Sequence, residues 1–131
     1  MKAEELMLGD WVYFEDKPIK IKNIYEEEIN LKFNNFSGLV DDSIHESYIS
    51  PIPLTTEILE KNSFLEVEAI EYPSHRVGIS FVYRNTFEGL RIFVQNACTG
   101  GPTCTMIKTC KYVHEVQHMI KMCDIERTFV L

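Results

Sequence analysis

The most regular hydrophobic pattern in the chain lies near its carboxyl end, over residues 111–123. At 100° per residue, the apolar side chains of this stretch fall on one stripe and polar side chains fill the opposite side. The stripe consists of Tyr112, Val113, Val116, Met119, Ile120 and Cys123. The pattern predicts a helix with Val116 and Ile120 in the core. On the opposite side, His114 and His118 are predicted to be at least partly exposed.

Short runs that alternate apolar and polar residues dominate the first fifty residues, with a turn expected at residues 16–18. Such runs, bounded by turn residues, are typical of strands. The predicted strands cover residues 11–14, 19–22, 29–33, 39–40 and 44–49. An isolated hairpin is not stable in water, so these strands must close on one another or on the C-terminal part of the chain. We therefore predict a small SH3-like, β-barrel-like module over residues 1–50.

A stiff joint at Pro51-Ile52-Pro53 marks the boundary to a second module, residues 51–131, because each proline also restricts the residue before it. A short helix over residues 56–61 comes first, with Thr55 as its N-cap and Asn62 in the left-handed C-cap conformation. An antiparallel meander, the long helix and a closing strand over residues 126–131 follow. The predicted meander strands cover residues 64–72, 77–83, 90–98 and 103–107.

Strands in runs followed by a helix favour the α+β class. The predicted fold is accordingly a small SH3-like β-rich N-terminal module, followed by an antiparallel sheet packed against the C-terminal helix. We expect the two modules to form one compact unit.

The charge balance bears on the partners of this 131-residue chain. It has 13 Lys and Arg against 20 Asp and Glu, for a formal net charge of −7. Nucleic-acid binding rests on clustered Lys and Arg, so we expect no nucleic-acid partner. No apolar run is long enough to span a bilayer, and the first ten residues lack an apolar signal region. We therefore expect a cytoplasmic protein without a membrane partner; a protein partner and the oligomeric state stay open.

The four cysteines, Cys98, Cys104, Cys110 and Cys123, include no Cys-x-x-Cys pair. In the cytoplasm they should be reduced, and small buried apolar side chains are the expected role. Two alternatives stay open: Cys98 and Cys104 could face each other across a hairpin, and Cys110 could act as a nucleophile with His114 as its base.

A chemical motif lies inside the long helix, where residues 114–118 read HEVQH. Two imidazoles one helical turn apart can hold Zn²⁺ while the glutamate between them acts as a general base, as in zinc peptidases. His114 and His118 would be the ligands and Glu115 the base.

The third zinc ligand is the weak point of this hypothesis, because catalytic zinc needs three protein ligands and an open position. Asp124 lies six residues after His118, where metzincin-like peptidases place their third ligand. Those helices stop at a glycine, but this chain has Lys121 there. We therefore predict no metal, no other cofactor and no catalytic residue. The alternative is a small zinc-dependent hydrolase with His114, His118 and Asp124 as ligands and Glu115 as base.

The first module offers another hypothesis, because Trp11 and Tyr13 could stack on a small ligand or a peptide. Aromatic residues of this kind more often belong to a core or to the rim of a barrel.

Three segments resemble a family of short uncharacterised proteins encoded by phages, prophages and other mobile elements of gut anaerobic bacteria. They are ELMLGDWV at residues 5–12, IPLTTEIL at residues 52–59 and YVHEVQ at residues 112–117. Members of that family often have Gln in place of Glu115 and Asn in place of His118, and neither could serve as base or ligand. The resemblance implies a mobile-element accessory protein that acts as a non-enzymatic interaction or binding module.

Overall fold

The computed structural model has the predicted α+β class, with two sheets and a helix near the carboxyl end. It describes residues 1–25, 28–35, 38–66, 78–97, 104–123, 125 and 128–131. The chain divides into two units. Unit 1 comprises Met1–Pro53 and Tyr112–His114, and unit 2 comprises Leu54–Lys111 and Glu115–Leu131. No helix in the described part of the chain is long and apolar enough to cross a membrane.

Unit 1 contains a five-stranded antiparallel sheet in the order β4-β3-β2-β1-β5. Its strands are β1 (Trp11–Phe14), β2 (Lys17–Tyr25), β3 (Glu28–Asn35), β4 (Gly38–His45) and β5 (Ile49–Pro51). The first half of β2 pairs with β1 and its second half with β3, and the register shifts between Ile21 and Asn23. The likeness to an SH3 barrel stays a prediction.

The alternating isoleucines form the core of unit 1, as their period of two predicts. The buried residues of this core are Leu6, Val12, Ile19, Ile21, Ile29, Ile44 and Ile49. The single strand predicted over residues 44–49 is wrong, because β4 ends at His45 and a 3₁₀ turn, Glu46–Tyr48, separates it from β5. His45 starts that turn by accepting a hydrogen bond from the Ser47 N–H at 3.1 Å.

The β1–β2 turn lies one residue earlier than predicted, at Glu15 and Asp16, because Lys17 and Pro18 already belong to β2. Both turn residues have positive φ, 50° and 60°. This is the pattern of a type I′ turn, whose twist matches the strands but which favours Asn or Gly at these positions. The left-handed backbone therefore costs stability at both residues.

Asp16→Gly is expected to raise the free energy of unfolding by about 1 kcal/mol, because glycine adopts positive φ without steric cost. The measurement is the urea midpoint. Glu88→Gly is the matched control, since Glu88 is also an exposed turn residue but is not among those with positive φ. Equal effects of the two substitutions would contradict the assignment of strain to the first turn.

Unit 2 contains a four-stranded sheet in the order β6-β7-β8-β9. The strands of this sheet are β6 (Leu65–Glu66), β7 (Gly78–Thr86), β8 (Gly89–Ala97) and β9 (Cys104–Cys110). Helix α1 (Thr56–Lys61) belongs to the same unit. The antiparallel pairing predicted for the meander is confirmed for β7, β8 and β9. The meander prediction is wrong for β6, which pairs parallel to β7. Most of the predicted strand over residues 64–72 lies outside the described residues.

Strand β8 occupies the centre of this sheet, and Leu90, Ile92 and Val94 on one face are buried as the alternation predicts. Phe93, which points to the other face, is buried as well. On the first face, the ring of Tyr83 in β7 is fully buried and its hydroxyl donates to Glu60 Oε1 at 2.9 Å.

Helix α1 is capped at both ends by backbone and side-chain groups. Thr55 Oγ1 accepts a hydrogen bond from the Ile58 N–H at 3.3 Å, as the N-cap prediction requires. The predicted left-handed conformation at Asn62 is wrong, because Asn62 has φ −96° and the next residue, Ser63, has φ 65°. The Phe64 N–H donates to the Leu59 carbonyl at 3.0 Å, which completes a Schellman motif.

The prediction of a closing strand over residues 126–131 is wrong at residues 128–131, which form no strand. Instead, the side-chain amide of Asn62 pairs with the backbone of Val130 in both directions. Asn62 Nδ2 donates to the Val130 carbonyl at 2.6 Å, and the Val130 N–H donates to Asn62 Oδ1 at 2.8 Å. A buried side chain thus replaces the strand partner that the sequence pattern suggests. Residues 126–127 lie outside the described residues.

Candidate functional site

Helix α2 (Val113–Met122) carries the HEVQH sequence and begins two residues later than predicted. The predicted buried stripe is confirmed at Val113, Val116, Met119 and Ile120, each at most 3% exposed. The apolar side of the helix is therefore packed along the helix.

His114 is buried, with 7% of its surface exposed, so the prediction that it is at least partly exposed is wrong. Its ring stacks on the ring of Tyr112, with centroids 5.9 Å apart and planes 11° from parallel. Gln117 is buried too, so the buried arc of the helix covers more than the predicted stripe. His118, one turn further along, is partly exposed as predicted.

Glu115 is the third residue of helix α2, and its carboxylate serves the start of that helix. Glu115 Oε2 accepts a hydrogen bond from the Lys111 N–H at 2.7 Å. A glutamate in the first turn can reach back to a backbone N–H before the helix; in a capping box the donor is the N-cap residue, and here it is Lys111, one residue earlier. A negative charge in the first turn also interacts favourably with the helix dipole. The residue that the zinc hypothesis requires as a base therefore makes a structural contact.

The third zinc ligand of the hypothesis, Asp124, lies outside the described residues. The helix continues through Lys121 to Met122, so the chain does not turn back where zinc peptidases have their glycine. Within the described ranges, the structure contains no group of three His, Cys, Asp or Glu residues placed to hold a metal ion.

Cys110 does not have the environment of a nucleophile. Its thiol is buried 3.7 Å from the sulfur of Met119. Burial, together with the negative charge of Glu115 and against a smaller opposite effect of Lys108, raises the pKa of Cys110 to about 12. Reactive cysteines instead have lowered pKa values and partial exposure. The proposed facing of Cys98 and Cys104 lies outside the residues whose side chains are described.

Trp11 and Tyr13 lie on the same face of β1, because they alternate with the buried Val12. Both are partly exposed. Lys20, the cross-strand partner of Trp11, places its Nζ 5.1 Å from the centre of the indole ring. The indole face thus already has a cation over it, which a stacked ligand would have to displace.

A concavity that the sequence pattern did not indicate lies in unit 2. Its volume is about 530 Å³. The lining comes from the β7–β8 turn, the start of β8 and the end of β9: Thr86, Phe87, Glu88, Arg91, Ile107, Lys108 and Thr109. Phe87 is fully exposed at the tip of the turn. A sequence signal for it exists in hindsight: Phe87 is a large aromatic residue between the strands predicted over residues 77–83 and 90–98.

Comparison of the chain with protein-family models, with curated proteins and with solved structures finds no match in any of the three.

Proposed function

We propose that this protein is a non-enzymatic interaction or binding module, an accessory protein of a phage or other mobile element that acts in the cytoplasm. Two observations support the proposal. The three segments at residues 5–12, 52–59 and 112–117 resemble such a family. The residues of the HEVQH sequence also make contacts that stabilise helix α2.

The hydrogen bond of Glu115 is the observation that carries the non-enzymatic part of the proposal. A general base must reach the water or substrate whose proton it takes. The Glu115 carboxylate accepts from the Lys111 N–H at 2.7 Å, and removing it would leave a backbone donor at the helix start without this acceptor. A capping role and a catalytic role for Glu115 predict different effects of substitution on stability.

Glu115→Ala is expected to lower the free energy of unfolding by about 1 kcal/mol, which is typical for the loss of a helix-capping contact. Glu115→Gln is the matched variant, because its amide oxygen can still accept a hydrogen bond from the Lys111 N–H. We expect Glu115→Gln to retain most of the wild-type stability. Urea unfolding of the three proteins, with folding checked by circular dichroism, gives the comparison.

Substitution of a catalytic base would have a different effect on stability. Active-site residues commonly lower the stability of a protein, so replacing one often leaves the stability unchanged or raises it. If Glu115→Ala and Glu115→Gln are both as stable as the wild type or more stable, and both abolish a hydrolytic activity, Glu115 is a catalytic residue and the proposal is wrong.

The mobile-element part of the proposal is tested by the genes that flank the coding sequence. Neighbouring genes for integration, conjugation or phage assembly would agree with it. A consistent neighbourhood of metabolic genes would contradict it and leave the non-enzymatic part to be decided by the Glu115 variants.

A further inference from the structure

We propose that the outer edge of β9, together with the adjoining concavity, is a docking site for an extended acidic segment of a partner protein. The inference rests on the proposed role as an interaction module and names the chemistry of the partner. The site is defined by Arg84, Phe87, Arg91 and the stretch 107–109.

Strand β9 is the end strand of its sheet in the described part of the chain. Ile107, Lys108 and Thr109 follow one another in β9, and all three are exposed. Because successive strand side chains point to opposite faces, three consecutive exposed residues show that both faces are open here. An end strand presents backbone N–H and C=O groups outward, and an extended peptide can pair with them.

The positive charges next to this edge are arranged for an anionic partner. Arg84 and Arg91 lie directly opposite each other on β7 and β8, and both are exposed. Like charges in this position repel each other unless an anion lies between them. Arg91 pairs in turn with Thr109 on β9, so Arg91 lies one strand in from the edge, on the face that also carries Ile107 and Thr109.

Lys108 adds a third positive charge on the edge strand itself, on the opposite face of the sheet because it pairs with Ile92, and it lines the concavity together with Arg91. The described residues provide no acidic side chain in a salt bridge with Arg84, Arg91 or Lys108. Glu88 at the rim supplies one negative charge, so the site is positive in a protein of net charge −7. Carboxylates of a partner can pair with arginine through two parallel hydrogen bonds.

Exposed apolar residues complete the site and favour a protein over a nucleic acid as the partner. Phe87 is fully exposed and Ile107 is 49% exposed, and both line the concavity. Exposed aromatic and aliphatic side chains beside a groove are typical anchors for a partner's apolar residues. A nucleic-acid backbone would bring many more negative charges toward a protein that is already strongly negative. An extended segment that alternates acidic and apolar residues can pair with the open edge in either register, with its carboxylates toward Arg91 on one face or toward Lys108 on the other.

The test uses the 131-residue protein and a fluorescent ten-residue peptide pool in which glutamate alternates with a position randomised over Val, Ile, Leu and Phe. Fluorescence anisotropy should show saturable binding. Substituting Lys108→Glu together with Arg91→Glu should weaken binding at least tenfold. Lys17→Glu with Lys22→Glu is the matched control, because it changes the net charge equally on exposed residues of unit 1. The control should bind within twofold of the wild type.

Two further probes separate the components of the site. A pool in which prolines replace alternate apolar residues should bind at least tenfold more weakly, because proline cannot donate to a strand ladder. An oligothymidylate of ten nucleotides should bind at least tenfold more weakly than the acidic pool. Arg84→Ala in the free protein should raise the urea midpoint slightly, since it removes the repulsion from Arg91.

Absence of saturable binding, or equal losses in the site and control variants, would overturn the docking site and leave the non-enzymatic assignment to the Glu115 variants. Stronger binding of oligothymidylate than of the peptide pool would replace the protein partner by a nucleic acid and also overturn the proposal.

Discussion

Replacing Val116 by Asp is expected to lower the free energy of unfolding by about 3 kcal/mol or more. Val116 is fully buried in the middle of helix α2, so the substitution would place a charge in the core without a partner. Met119 and Ile120, three and four residues further along the same side of the helix, are buried too, so the charge would lie beside buried apolar side chains. The measurement is the shift of the denaturant midpoint at constant m-value.

His118→Ala is the control on the same helix, because His118 is partly exposed. It should cost well under about 1 kcal/mol, as is usual for a surface position. If His118→Ala were the more damaging change, the helix would be oriented with its polar side inward, and the assignment of its core face would be wrong.

Asn62→Ala has the second largest expected effect, a loss of about 2 kcal/mol. The Asn62 side chain is buried, donates hydrogen bonds to the carbonyls of Ile58 and Val130, and accepts one from the N–H of Val130. Alanine would remove these bonds and weaken the attachment of residues 128–131. Urea unfolding measures the loss, and hydrogen exchange at the Val130 amide should become much faster.

Asn62→Asp separates the acceptor from the donors, because a carboxylate can still accept from the Val130 N–H but cannot donate to either carbonyl. Its free energy of unfolding and its exchange rate at the Val130 amide should both lie between those of the wild type and Asn62→Ala. An unchanged exchange rate at Val130 in Asn62→Ala would show that other contacts hold this end of the chain.

Local periodicity was sufficient to predict much of the fold. The stripe of helix α2 and the alternating isoleucines of unit 1 are each set by the side-chain period of a single element. These predictions need no knowledge of the partner elements, and the buried residues Val116, Ile19 and Ile21 agree with them.

The errors in the fold prediction come from contacts between residues far apart in sequence. The closing strand was predicted from strand-forming residues, but Val130 is paired by a side chain 68 positions earlier. The parallel pairing of β6 with β7 likewise depends on tertiary structure rather than on the residues of β6. Burial of His114 beyond the apolar stripe could not be predicted from the helix alone, since what packs around a helix is set elsewhere.

Prediction of the candidate site from the sequence was limited for two different reasons. A glutamate three residues into a helix suits both a zinc-peptidase motif and a capping contact, so the sequence alone leaves the role of Glu115 ambiguous. The concavity of unit 2 arises from the register that brings Arg91 opposite Arg84 and Thr109. That register joins three strands, and no single stretch of sequence specifies it.

The zinc content of the protein is the most direct test of its proposed non-enzymatic role. The protein is purified without a histidine tag, with and without a chelator, and metal is measured per chain. Metal-free protein with unchanged stability after chelation is the predicted result, because two histidines on one helix bind zinc only weakly without a third ligand. Stoichiometric zinc, together with a peptidase activity that disappears in Glu115→Gln, would contradict the account and establish the hydrolase with His114 and His118 as its ligands.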